Sequence, residues 1–313
     1  MTALKKIPAH TDRSTLLVVT DQIHEPLFRR AASIATVLDS ELQIYCPVVM
    51  PPAPHTGIPQ NEPPWKDDLS LARSQARRIA GRVQSILNEE SIDSHVETGV
   101  CRSMTEGVIE AAERLGPDLL LLPQTDEHAL VDKPFHVQPR EVWPASDMPV
   151  WLLNRDEPEG SNVCAVVFPD SLSGGNTAEA ERVVSQSARF AGRFDTNLHI
   201  VTCVSQSPAL AVAKEALAPS GHSIAQQRED RVVRRLYDLA RSYAIPAPHV
   251  QLLRGNVHDE IERLLDPLEI GVVVTSGRPQ RRFGGLIKRP RALDLSGLQC
   301  DLLILGESDD IYA

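Results

Sequence analysis

The strongest constraint on how this chain folds is that one order of elements is written twice along it. LLVVT (16–20) is a continuous apolar, β-branched run that reads as a strand, and the following EPLFRRAASIATVLDS places apolar residues at helical spacing. LQIYCPV reads as a second strand. Seven prolines between Pro47 and Pro64 then exclude helix or sheet interior. Beyond them Leu69, Ala72, Ala76, Ile79, Val83 and Ile86 step by three or four and define one apolar helix face. HVETG, a helix around Met104 to Leu115, and the strands DLLLL and PVWLL complete the unit.

The second copy runs CAVVF, a helix beginning near Asn176, LHIVTCV, a Pro/Ser/Gly-containing loop (Ser205–His222), and a helix bearing Val232, Leu236, Leu239 and Tyr243. HVQLL, a helix around Ile261, GVVVT and DLLIL finish it. LQIYC matches LHIVT, His95-Val96 matches His249-Val250, and MPVWLL matches CDLLIL. Their common order marks a tandem duplication. The polar stretch NRDEPEGSN (154–162) reads as the linker and divides the chain into residues 1–157 and 158–313. Strands that are apolar throughout and alternate with helices belong to a parallel sheet covered on both faces. The expectation is α/β, with two doubly wound domains, each a five-stranded mostly parallel sheet with about four helices. Ligands are then expected at the carboxyl ends of the strands, at the switch point in strand order.

Charge and cysteine usage narrow the function classes. The net charge of −10 repels nucleic acid and anionic lipid as a whole, so an anion site has to be local. From Arg278 to Arg291 there are six basic residues and no acidic one. Five cysteines without a CxxC pair, most of them in apolar runs, suit a reducing compartment without disulfides. MTALKKIPAH lacks an apolar run of signal-peptide length, and no run of 18 apolar residues occurs, so the expected location is cytoplasmic.

The order of elements resembles the universal stress protein family in its tandem form, with the E-type subgroup as the nearest likeness, over about Ser14 to Leu305. LLVVTD and AVVFPD each close the first strand with an aspartate, Asp21 and Asp170. DLLLLPQTDEHALVDKPFHVQPREVWPASDMPVWLL looks like the E-type first-domain ending, and TSGR with LQCDLLIL looks like the second. The resemblance implies a fold related to the adenine nucleotide alpha hydrolases. In members that bind ATP, a glycine follows the fourth strand, a second glycine comes after two residues, and a third after nine more, before Ser or Thr. These glycines let backbone N–H groups approach phosphates, and the aspartate after the first strand sits at the nucleoside end.

The first half departs from that pattern completely, with no glycine between Pro117 and Glu159. Its Asp21 is therefore a vestigial counterpart. The second half keeps Gly277-Arg278, but three residues on stands Gln280, and the late glycine position falls on Ile287 or Lys288. Cationic side chains replace the cradle. Arg278, Arg281, Arg282 and Lys288 can hold an anion through charge-assisted hydrogen bonds, or form a solvated basic loop that meets an acidic surface.

Other motifs resolve to structure. Ser173-Gly174-Gly175 resembles the SGGxDS loop of ATP-pyrophosphatases, but Asn176-Thr177 break the signature and suit a helix cap instead. HExxH and GxSxG are absent, the His128/His136 spacing is not that of a same-face pair, and His95 and His249 suit a repeated structural role. Asp67-Asp68 open a helix where negative charge is favourable. One aromatic, Phe283, makes no stacking platform for single strands in the basic loop.

The resemblance thus implies a tandem universal stress protein that is not an enzyme, acting in stress survival as a ligand-responsive binding or scaffolding module. A second reading keeps ATP binding, with slow hydrolysis, in the second half: Asp170 at the nucleoside, Gly277, Arg278 and Lys288 around the phosphates. A third is a protein-interaction module docking through 278–291. The two copies are expected to pack as an intramolecular pseudo-dimer, open to homodimerisation. The long loops at Pro47–Pro64 and Ser205–His222 would cover a cavity for a small molecule, amphiphile or lipid, without membrane insertion or nucleic-acid binding.

Overall fold

The computed structural model describes residues 14–20, 24–49, 65–89, 91–124, 142, 148–154, 160–173, 177–204, 224–277, 295 and 297–306. The first repeat comprises β1 (Thr15–Val19), α1 (Glu25–Leu38), β2 (Glu41–Val49), α2 (Trp65–Glu89), β3 (Ser94–Cys101), α3 (Met104–Leu115), β4 (Leu119–Pro123) and β5 (Val150–Leu153). The second comprises β6 (Asn162–Val166), α4 (Pro169–Ser173), α5 (Thr177–Phe194), β7 (Leu198–Val204), α6 (Ile224–Ser242), a 3-10 turn (Ala247–His249), β8 (Val250–Arg254), α7 (Val257–Leu265), β9 (Ile270–Ser276) and β10 (Asp301–Leu305). None of the described helices is long and apolar enough to cross a membrane.

Local chemistry sets the helix ends. Ser103 opens α3 by accepting the Glu106 N–H at 3.1 Å, and Gly116 closes it in the left-handed region at φ 58°. Asn256 opens α7 in the same way, accepting the His258 N–H at 2.9 Å. The duplication extends to backbone conformation. Asp39 after α1 and Asp195 after α5 both take positive φ, 51° and 53°, as do Ser91 after α2 and Ala244 after α6, 57° and 55°.

The ten strands form one sheet in the order β3-β2-β1-β4-β5-β10-β9-β6-β7-β8. Each half is parallel throughout and has the doubly wound order 3-2-1-4-5, as its unbroken apolar strands require. The two five-stranded sheets meet at a single antiparallel seam, β5 against β10, with Leu152 opposite Leu302 and Trp151 opposite Leu303. The expected pseudo-dimer is therefore a shared sheet. Its core runs across the seam on both faces. On one, Leu16, Phe28 and Trp151 pack with Phe190, Leu236 and Leu303; on the other, Val108, Leu122 and Leu152 pack with Ile261, Val273 and Ile304.

A buried polar network ties the seam. Asp301, 1% exposed at the start of β10, accepts the Trp151 Nε1–H at 3.1 Å and the Asn154 backbone N–H at 2.7 Å. It also receives the guanidinium of Arg30 from α1, which donates a further bond to the Asn154 carbonyl at 2.8 Å. Burial lifts the Asp301 carboxyl above the usual carboxylate range, and Arg30 and the N–H donors oppose that shift. Where the linker enters the second half, Gly160 and Gly271 let two backbones touch. A Cβ at Gly271 would lie 2.2 Å from the Gly160 carbonyl oxygen, at the point where β6 and β9 shift register.

All five cysteines are buried and none forms a disulfide, in keeping with their reading as small hydrophobes. Burial pushes the Cys164 thiol up to about 12. The repeated histidines diverge. His95 is exposed beside Glu97 at 3.3 Å, whereas His249 stacks on His199 with ring centroids 4.4 Å apart. The His249 Nδ1 meets the Leu198 carbonyl at 3.2 Å. His199 is 6% exposed, its Nδ1 has no hydrogen-bond partner, and burial followed by His249 holds it below the usual histidine value.

A depressed histidine destabilises the fold in acid. The unfolded chain takes up the His199 proton first, near pH 6.5, so stability is full above that value. It falls by up to about 1.4 kcal/mol per pH unit until the folded value is reached. Urea midpoints measured between pH 8 and pH 5 are expected to show this loss, and His199→Gln, which copies Gln43 at the matching register of β2, is expected to flatten it. An equal slope in the variant would assign the acid sensitivity elsewhere.

Candidate functional site

In a doubly wound sheet the crevice opens where the strand order reverses, here between β1 and β4 in the first half and between β6 and β9 in the second. The two corners can be compared residue by residue through the strand registers. Val19 lies opposite Tyr45 and Val166 opposite Val201. The next N–H groups, of Thr20 and Val167, bond to the Tyr45 and Val201 carbonyls at 3.2 and 2.9 Å. At the other strand, the Gln124 N–H bonds to Leu153 at 2.7 Å and the Gly277 N–H to Leu305 at 3.0 Å. Tyr45 thus corresponds to Val201 and Gln124 to Gly277.

Both first-half positions carry the larger side chain. The Tyr45 phenol is buried and lies over Gly99, where a Cβ would come within 2.1 Å of its oxygen. Burial raises its pKa to about 12, so it stays a neutral group. The Gln124 side chain crosses the seam and donates to the Leu298 carbonyl at 3.3 Å. Each of these two side chains is held by a contact, the phenol over β3 and the amide across the seam.

The second-half corner has small side chains and hydroxyls. Gly277 is buried with no side chain to project, and Ser276 before it donates its hydroxyl to the Glu179 carboxylate in the first turn of α5. Thr275 Oγ1 donates to the Val166 carbonyl at 3.2 Å, bracing β9 against β6. Asp170 is half-buried in the first turn of the five-residue α4. Counted along the sequence from the matched residues Thr20 and Val167, Asp21 is the first residue on and Asp170 the third.

Among the sequence-derived site residues, Asp170 and Gly277 therefore stand at the same end of the sheet, on the two sides of the switch point. Arg278, Arg281, Arg282, Lys288 and Asp21 lie outside the described residues, as do both long loops apart from their strand ends. Pro169–Ser173 form the short helix α4 and α5 starts at Thr177, while Gly174, Gly175 and Asn176, on which the reading as a turn into a helix rests, lie outside the described residues. Glu179 was not anticipated from sequence. Its only signal is an acidic residue in a helix first turn, which also suits the helix dipole. Among the described residues no group of three or more His, Cys, Asp or Glu is arranged to hold a metal.

Neither protein-family models nor curated proteins match the sequence. Solved structures do match along nearly the whole chain. A universal stress protein from Archaeoglobus fulgidus DSM 4304 is 13% identical, with 96% of this chain and 98% of that one covered and a TM-score of 0.62. A putative universal stress protein from Pseudomonas aeruginosa UCBPP-PA14 is 17% identical, with 96% and 95% covered and the same TM-score of 0.62. A functionally unknown protein from Pseudomonas aeruginosa PAO1 matches at 17% identity and 0.62, over 96% and 94%. With its two doubly wound halves and these full-length neighbours, the chain has the two-domain universal stress protein fold.

Proposed function

We propose that this protein is a non-catalytic, ligand-responsive module of the tandem universal stress protein kind, with the ligand taken at the second-half corner and the first half serving as its structural partner. The asymmetry of the corners carries this reading. Tyr45 and Gln124 put large side chains at two positions of the first, whereas Val201 and Gly277 leave the second without bulk at the same two positions. A role in stress survival and the E-type likeness rest on the sequence resemblance alone.

ATP binding in the second half is the competing reading, and Gly277 at the end of β9 favours it. The Glu179 carboxylate bonded to Ser276 weighs against it, because a fixed negative charge next to that glycine opposes phosphate. Native mass spectrometry of freshly purified protein, before and after addition of ATP and magnesium, separates the two. The expected result is no ATP adduct and no phosphate release, with any copurified small molecule lost in Gly277→Gln. An ATP adduct that disappears in Arg278→Ala would establish the nucleotide reading instead.

A further inference from the structure

The outer faces of α2 and α6 carry a charge pattern for which the fold has no use. Their ends superpose by hydrogen bonding. Ile92 donates to Leu87 at 2.8 Å and Ser91 to Asn88 at 3.1 Å, while Ile245 donates to Ala240 at 2.9 Å and Ala244 to Arg241 at 3.1 Å. With Ser91 matched to Ala244, Arg78 falls on Arg231 and Arg82 on Arg235. Both helices therefore present an i,i+4 arginine pair at the same place.

All four arginines are exposed, and among the described residues none of them makes an ion pair or hydrogen bond. Their neighbours behave differently: Arg254 is bound by Glu229, and Arg241 meets Asp238 at 3.3 Å. Like charges one turn apart destabilise an isolated helix slightly. The pairs thus carry a small cost in both halves with no compensating contact among the described residues. On α2 the pattern is stronger, since Arg73 and Arg77 are also exposed and, among the described residues, unpaired, and no acidic residue stands between Asp68 and Glu89.

We propose that these two arginine pairs are docking sites for an acidic polypeptide segment, one site per half, each taking two carboxylates spaced by one helical turn. Guanidinium forks match carboxylates bidentately, and the ~6 Å between i,i+4 side chains matches glutamates on successive turns of a partner helix. A long polyanion fits less well. The net charge of −10 repels an extended duplex or an anionic bilayer, whereas a short acidic segment meets only the local cations. These sites lie on helices flanking the sheet and are independent of the ligand corner.

The test uses the full chain and a fluorescent helical peptide bearing glutamates one turn apart, titrated by anisotropy at low and physiological salt. Two peptides per chain are expected to bind, more weakly at higher salt. Arg78→Glu with Arg82→Glu should reduce the stoichiometry to one, and adding Arg231→Glu with Arg235→Glu should weaken what remains about tenfold or more. The corresponding Arg→Gln set gives a milder loss in the same order and guards against misfolding of the reversed set. The proposal is overturned if the peptide binds the four-site variant as it binds the wild type. It is equally overturned if loss follows only substitution of Arg278, Arg281 and Arg282, or if duplex DNA or phosphatidylserine vesicles bind more tightly than the peptide.

Discussion

Replacing Arg30 by methionine is expected to destabilise the protein by about 3–5 kcal/mol, because it leaves Asp301 charged, 1% exposed and without a counter-ion. The Trp151 and Asn154 N–H donors remain but carry no full charge. Burial already raises the Asp301 carboxyl, and loss of the guanidinium raises it further. A carboxyl with a raised folded value adds stability that is full below its unfolded value, about 3.9, and is lost as pH rises through the folded one. The deficit of Arg30→Met should therefore be larger at pH 8 than at pH 5. Arg30→Met combined with Asp301→Asn should recover much of it, since no buried charge is then left over. Urea midpoints of the three variants at both pH values measure this. A deficit below about 1 kcal/mol, unchanged with pH, would mean that water reaches Asp301 and screens it.

That network shows what the sequence could not reveal. Arg30 and Asp301 are 271 residues apart, and neither the apolar periodicity of α1 nor that of β10 says that these two elements meet across a seam. Periodicity reports which face of an element is buried, not what buries it. It served well for the elements themselves, because unbroken apolar strands between amphipathic helices admit few alternatives to a doubly wound sheet. The repeated landmarks even reached the register: His95 and His249 occupy matched positions, next to β2 and β7. The same order did not disclose that the two sheets fuse into one.

The site was less legible, for local reasons. Glycine after a strand has a backbone meaning, and Gly277 directly follows β9 with its N–H on the Leu305 carbonyl of β10. Asp21 and Asp170 each end an apolar run, but counted from Thr20 and Val167 the second half carries two more residues before its aspartate. Composition cannot detect such a shift; only the hydrogen bonds of Thr20 and Val167 do. Tyr45, Gln124 and Glu179 carry no distinguishing sequence signal, because a tyrosine in a strand, a glutamine after one and a glutamate in a first helical turn are each ordinary. Their significance comes from comparing the two corners.

Trp151→Ala is expected to cost about 3–5 kcal/mol and, in addition, to uncouple the two halves. The ring is 2% exposed and packs edge-on against Phe190 of α5 at 4.9 Å between centroids, with Phe194 stacked on Phe190 at 4.4 Å. A first-half side chain thus fills the core beneath a second-half helix. The backbone seam is narrow: β5 and β10 are matched at only three residue pairs, so side chains must supply much of the cohesion between the halves. Removing the indole both opens a cavity there and takes one donor from Asp301. Wild type should unfold in one cooperative transition by circular dichroism, and Trp151→Ala in two, as each half melts on its own core. Trp151→Phe keeps most of the packing and loses the donor, so it should cost about 1–3 kcal/mol and leave a single transition. If Trp151→Ala still melts in one step, cohesion lies in the Arg30–Asp301 network instead, and Arg30→Met becomes the variant expected to split the transition.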